Sequence, residues 1–187
     1  MVVPMPGQAL TPPSAFAFGK LPTHGDFVAR GLSGQDRDAW DAWASTGLEE
    51  ARMALGEAFE TRHDAAPPVR FSFGPGLFGD GWRTGAFAPS VDSTGRRFII
   101  LLGARTGHAP TTETIDLLAS AAEGEIYRTF EAAADIDAMV VSAQSIFQTL
   151  GSESDSEADG RFWAPDSPLD ITASQPPADL IIRVLTT

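Results

Sequence analysis

Val69-Arg70-Phe71-Ser72-Phe73, Thr84-Gly85-Ala86-Phe87-Ala88 and Phe98-Ile99-Ile100-Leu101-Leu102-Gly103-Ala104 follow one another along the chain with only turn-like segments between them. The first block alternates around Arg70 and Ser72, which is the period of a strand. The second is short and follows a glycine-rich turn. The third is an almost unbroken apolar run, as expected of a central strand covered on both faces. Ser93-Thr94-Gly95, between the last two blocks, predicts an antiparallel hairpin. Three strands adjacent in sequence favour an antiparallel sheet packed by helices over alternating βαβ units. The expected class is therefore α+β: a single domain with a largely antiparallel β-sheet packed by long helices.

Upstream, Ala15-Phe16-Ala17-Phe18 alternates small and aromatic residues and predicts a further strand. Gln35 to Phe59 predicts a long helix, with Trp40, Trp43, Ala44, Leu48, Ala51, Leu55 and Phe59 at helical spacing. Ser33 is its expected N-cap and Asp36 lies in its first turn, facing the helix dipole. Downstream, Thr111 or Thr112 is expected to cap a helix reaching Ala133. Ile136 to Leu150 contains the strand-favouring pair Val140-Val141, but its length and the Met139, Ala143, Phe147 spacing predict a helix. Arg161 to Ala164 and Asp170 to Thr172 read as short strands, and Pro176-Pro177 opens a short terminal helix through Leu185. Residues 1–14, rich in Pro and Gly, predict a flexible lead-in to one domain over 15–187.

At 187 residues the chain suffices for one substantial domain. Its 43% hydrophobic and 20% charged composition is that of a globular protein. It has no cysteine, which excludes disulfides and thiolate metal sites. No apolar run approaches the ~18 residues of a membrane-spanning helix. Met1-Val2-Val3-Pro4-Met5-Pro6 lacks the basic and apolar regions of a signal peptide. A cytoplasmic protein without membrane insertion is expected. The net charge of −12 is unevenly spread: residues 1–106 carry −1 and the acidic C-terminal part, 107–187, carries −11. Such a surface repels phosphate backbones, so no nucleic-acid partner is expected.

Generic motifs are weak. Gly74-Pro75-Gly76-Leu77-Phe78-Gly79 fits G-x-G-x-x-G, but a strand rather than a helix is expected after it, so a structural turn is the better reading. His24, Ser90 and Asp92 supply the residue types of a hydrolase triad, yet Ala88-Pro89-Ser90-Val91-Asp92 is not a nucleophile elbow. The histidines His24, His63 and His108 lack metal-ligand spacing, and Glu153, Asp155, Glu157 and Asp159 lack the central glycine and closing glutamate of an EF-hand. No cofactor and no metal are expected. Lys20, the lone lysine, sits in a Gly/Pro loop where it could pair with Asp26 or bind an anion, and a structural ion pair is the expectation. Trp40 and Trp43 are expected as core anchors.

The ordered motifs resemble the TagF family, also called ImpM, of type VI secretion accessory proteins. The resemblance is carried by Phe18-Gly19-Lys20-Leu21-Pro22-Thr23-His24-Gly25-Asp26-Phe27-Val28 with Arg30 and Leu32, and by Trp40-Asp41-Ala42-Trp43. It continues in Pro68-Val69-Arg70-Phe71, in Pro75, Gly76, Gly79, Trp82 and Gly85, and in Pro89-Ser90-Val91-Asp92-Ser93-Thr94-Gly95-Arg96-Arg97-Phe98. The motif-bearing part is 16–104; the C-terminal part matches loosely. The resemblance implies a regulator acting after translation to restrain secretion-system assembly, with a forkhead-associated scaffold protein as partner. It implies a binding protein and not an enzyme. A small hydrolase using His24, Ser90 and Asp92 is the alternative. The candidate surface comprises Lys20, His24, Asp26, Arg30, Ser90, Asp92 and Arg96, in two loops expected to meet beside a sheet edge.

Overall fold

The computed structural model describes residues 11–187 except Ser152 and Ser156. The strands are β1 (Ser14–Gly19), β2 (Val28–Arg30), β3 (Val69–Phe73), β4 (Trp82–Val91), β5 (Arg97–Thr106), β6 (Arg161–Trp163) and β7 (Asp170–Thr172). The helices are α1 (Gly34–Leu55), α2 (Phe59–Ala65), α3 (Thr112–Ala132), α4 (Ile136–Thr149) and α5 (Leu180–Thr186), with a 3-10 turn, Gly56–Ala58, between the first two. Among the described residues the strands form one sheet in the order β2-β1-β5-β4-β3-β6-β7, every pair antiparallel. This is the expected α+β domain.

Alternation along the strands sorts side chains by size between the two faces of the sheet. Phe16, Phe18, Phe71, Phe73, Phe87, Ile99 and Leu101 face α1, α2 and α5. Ala15, Ala17, Ala86, Ala88, Ile100, Leu102 and Ala104 face α3 and α4. Both faces are buried, so Ala15 to Phe18 marks a strand between two helical layers. The small residues let Leu118, Ala122, Ile126, Met139 and Phe147 come close on one side. The aromatics build a thicker core on the other, around Trp40.

The caps are as expected where the side chain decides them. Ser33 Oγ accepts from Asp36 N–H and Thr111 Oγ1 from Thr114 N–H. Elsewhere the structure corrects the sequence reading. The predicted helix Gln35 to Phe59 breaks at Gly56, whose φ of +53° ends α1 and whose N–H bonds Arg52 C=O. Glycine is the residue that adopts this conformation without strain, and the continuing Leu55–Phe59 spacing hid the stop. The second strand is twice the length expected. Pro89 does not end it, because β3 pairs only as far as Phe87 and Pro89 lies beyond, against β5 alone. Strand β2 was not predicted; three residues carry too little pattern. Of the predicted lead-in, residues 1–10 lie outside the described residues, and Ser14 already pairs with Arg105.

Register alone delivers the two motif loops to one place. Strand β1 pairs β5 with Ser14 opposite Arg105 and Gly19 opposite Ile100. Its exit therefore lies beside the start of β5, where the β4–β5 hairpin turns. Gly19 makes the approach with φ +136°; a Cβ there would stand 2.1 Å from Ile99 O. No larger residue fits without moving the backbone.

Candidate functional site: a junction of two loops

Four of the seven singled-out residues meet. Lys20 N–H bonds Ile99 C=O, and the Lys20 ammonium turns back to Asp92 Oδ2 at 3.1 Å. Ser90 Oγ donates to Lys20 C=O at 2.6 Å. Asp92 Oδ1 accepts from Thr94 N–H, Thr94 Oγ1 and Arg96 N–H at 2.9, 2.7 and 3.0 Å. Its Oδ2 also takes Arg96 Nε at 2.6 Å. Arg96 Nη2 reaches across to Gly25 C=O at 2.8 Å, and Ser93 N–H to His24 C=O at 2.8 Å. One buried carboxylate thus shapes the hairpin turn and clamps the preceding loop onto it.

The other three sit apart from this cluster. His24 Nε2 accepts from Ile136 N–H at 3.2 Å, and Thr23 Oγ1 donates to Ala134 C=O, so the loop is also sewn to the start of α4. Arg30 pairs with Asp137 at 2.7 Å on the same helix. Asp26 is exposed and accepts the next residue's N–H, Phe27, at 2.8 Å. The expected Lys20–Asp26 pair is therefore replaced by Lys20–Asp92: the hairpin offers a carboxylate already stripped of water, while Asp26 stays hydrated.

No His24–Ser90 hydrogen bond exists among the described residues, and both groups are engaged elsewhere: the Ser90 proton lies on Lys20 C=O, and the His24 lone pair on Ile136 N–H. The triad geometry is not assembled. The Gly74–Gly79 segment is a turn closed by reciprocal Gly76 and Gly79 backbone bonds and runs into β4, so it holds no helix N-terminus for a phosphate. Replacing Ser90 by Ala removes the donor from a buried carbonyl. It is expected to lower the unfolding free energy by about 1 to 2 kcal/mol, read as a shift of the urea midpoint.

Burial alone would raise the Asp92 pKa. The hydrogen bonds from Thr94, the Arg96 backbone, Lys20 and the Arg96 side chain outweigh it and hold the carboxyl far below the usual range. Asp64, bonded by Arg97 and to a lesser extent by His63, falls from 3.8 to about 2. Hydrogen bonds from Arg30 lower Asp137, and those from Arg161 lower Asp170. A carboxyl whose pKa is depressed on folding stabilises the fold above its unfolded value and loses that contribution as pH falls through the folded one. Stability is therefore expected to be level from neutral pH to about 5 and to fall below about 4. Asp64 completes its loss near 2 and Asp92 lower still. Urea midpoints at stepped pH check this, and a midpoint that rises on acidification contradicts it. Asp64, Asp137 and Asp170 are more than half exposed, so solvent screening keeps their shares small.

Sequence reasoning did not single out the aromatic rings around Lys20. Its ammonium lies 4.7 Å from the Phe27 ring centre and 5.8 Å from that of Phe98. An aromatic residue directly after a Gly-Asp turn was the available signal.

These features define an α+β domain with an antiparallel sheet between two helical layers and a charge-clamped loop junction at one end of the sheet. Residues 17–146 match the family described as TagF N-terminal domain, Type VI secretion system-associated, and the chain belongs to that family. A solved structure, PA0076 from Pseudomonas aeruginosa PAO1, is similar with a TM-score of 0.72 at 24% identity, over 92% of this chain and 94% of that one. That likeness concerns the fold. No curated protein matches the chain. The protein is thus type VI secretion system-associated, and no helix among its described residues is long and apolar enough to cross a membrane.

Proposed function

We propose that this protein is a regulatory binding module that acts after translation, in the cytoplasm, to restrain type VI secretion assembly or activation through protein–protein contacts. The partner proposed is the scaffold protein carrying a forkhead-associated domain. One observation carries the binding reading over an enzymatic one. The motif groups that an enzyme would use are already engaged, with Asp92 accepting five hydrogen bonds, Ser90 committed to a backbone carbonyl and His24 Nε2 to Ile136 N–H. A nucleophile or general base needs a free lone pair or a proton path. A recognition surface needs a preset shape, and that is what a clamped junction supplies. Family membership supports the secretion-system setting.

The test is co-purification of the folded full-length chain with the scaffold protein of the same secretion system, followed by calorimetric titration. A one-to-one or other fixed-ratio complex is expected. A folded chain that forms no complex would sink the proposal.

A further inference from the structure

The junction forms one wall of a groove of about 1150 Å³ whose other wall is the end of α1 and the 3-10 turn. The buried apolar lining is Leu48, Phe59 and Phe98, and Phe27 lies against it. Phe27 is 44% exposed although it stacks on Phe18 at 5.9 Å and meets Phe98 edge-on at 4.9 Å. A large ring so exposed over an apolar floor is a surface that gains by being covered.

The charge on the motif wall is unbalanced. Asp92 serves two cations, Lys20 and Arg96, so the cluster keeps one positive charge in a chain whose total is −12. Lys20 has three N–H donors, and one of them is bonded to Asp92. Arg97, nearby, is already matched by Asp64 and Glu60. On the facing wall Arg52 answers Glu49 at 3.6 Å, while Glu57 has no cation partner among the described residues. The groove is thus positive on its motif side, apolar beneath and negative on its helical side.

We infer that this groove docks a short segment of a protein partner in which a carboxylate adjoins an apolar side chain. The carboxylate lies at Lys20 and Arg96, and the apolar side chain covers Phe27 and Phe98. The inference rests on the proposed binding function and names its contact surface. Other occupants match the chemistry less well. Residues 1–10 of this chain contain no acidic residue. The acidic stretch 151–160 of a second copy has carboxylates but no apolar side chain larger than alanine. A nucleic acid meets the repulsion of the net charge and of Glu57.

The test has two arms, both on the full chain. In the first, binding to the forkhead-associated scaffold protein is titrated for the native chain, Phe27→Ser, Arg96→Gln and, as a control on the far helical layer, Val141→Ser, with melting curves for each. Phe27→Ser and Arg96→Gln are expected to weaken binding at least about tenfold, and Val141→Ser by less than about twofold. Arg96→Gln also loosens the hairpin turn, so Phe27→Ser, which leaves every ion pair in place, decides if the former melts early. Native-like binding by a folded Phe27→Ser variant overturns the inference. In the second arm the isotope-labelled chain is titrated by NMR with a capped pentapeptide carrying aspartate before phenylalanine, and with the same peptide carrying lysine instead. Amide shifts at Phe27, Arg96 and Phe98 with the acidic peptide alone are expected. Equal shifts with both peptides, or none in the groove, overturn the inference. If the scaffold protein fails to bind while the acidic peptide still seats in the groove, the proposed function falls and the groove stands.

Discussion

Asp92→Ala is expected to lower the melting temperature by roughly 10 °C, the largest single loss at the junction, because it strands a buried cation. The Lys20 side chain is 8% exposed and has Asp92 as its ion-pair partner. Removing the carboxylate leaves that ammonium in a poorly hydrated place with the rings of Phe27 and Phe98 for company. The same change removes the acceptor that closes the Thr94 and Arg96 turn. A second substitution separates the two effects. Lys20→Met in the Asp92→Ala background takes away the stranded charge and should restore part of the loss, while Lys20→Met alone should cost less than Asp92→Ala. Melting curves of the four chains form a double-mutant cycle. Additive losses would mean that Lys20 and Asp92 do not depend on each other, contrary to their geometry. Asp92→Ala should also weaken partner binding more than its melting temperature explains, since both loops lose their clamp.

Trp40→Ala is expected to cost about 3 to 5 kcal/mol, a large share of the ~5 to 15 kcal/mol by which a domain is stable. Trp40 is 1% exposed and is the hub of the aromatic layer. Its ring lies 4.4 Å from Phe78, 5.7 Å from Trp43, 5.9 Å from both Phe71 and Phe73, and 6.4 Å from Phe16. These neighbours come from β1, β3, α1 and the Gly74–Gly79 turn, so no small movement refills the hole. Trp40→Phe should be far milder, costing about 1 kcal/mol. Its indole N–H is buried without a hydrogen-bond partner among the described residues, so the loss of ring volume is offset by removal of an unpaired donor. Urea unfolding of the two variants checks the contrast; equal losses would contradict it. Trp43 differs in this respect, since its N–H bonds Pro177 C=O at 3.0 Å and ties α1 to the segment before α5.

The residues themselves carried most of the strand and helix placement. Val69–Phe73 is the strand predicted from alternation, and Ile136–Thr149 is the helix predicted from length against the strand preference of Val140-Val141. Those readings succeed because burial of one face imposes a period that local sequence displays. The misses share a cause. Gly56 was passed over inside a continuing helical period, and the second strand was ended before Pro89; what decides each is the backbone conformation of the glycine and the end of a neighbouring strand beside the proline.

For the site, sequence alone determined which residues were out of the ordinary: a lone lysine, a Gly/Pro-shaped loop and an Asp in a tight hairpin turn. It could not select Asp92 over Asp26 as the partner of Lys20. Two carboxylates at different separations along the chain look alike until strand register puts one of them 3.1 Å away and removes its water. The surplus positive charge, the exposed Phe27 and the facing wall from α1 likewise arise from elements some 25 to 70 residues apart. Electrostatics and shape at such a place depend on distances through space, and only the folded chain sets them.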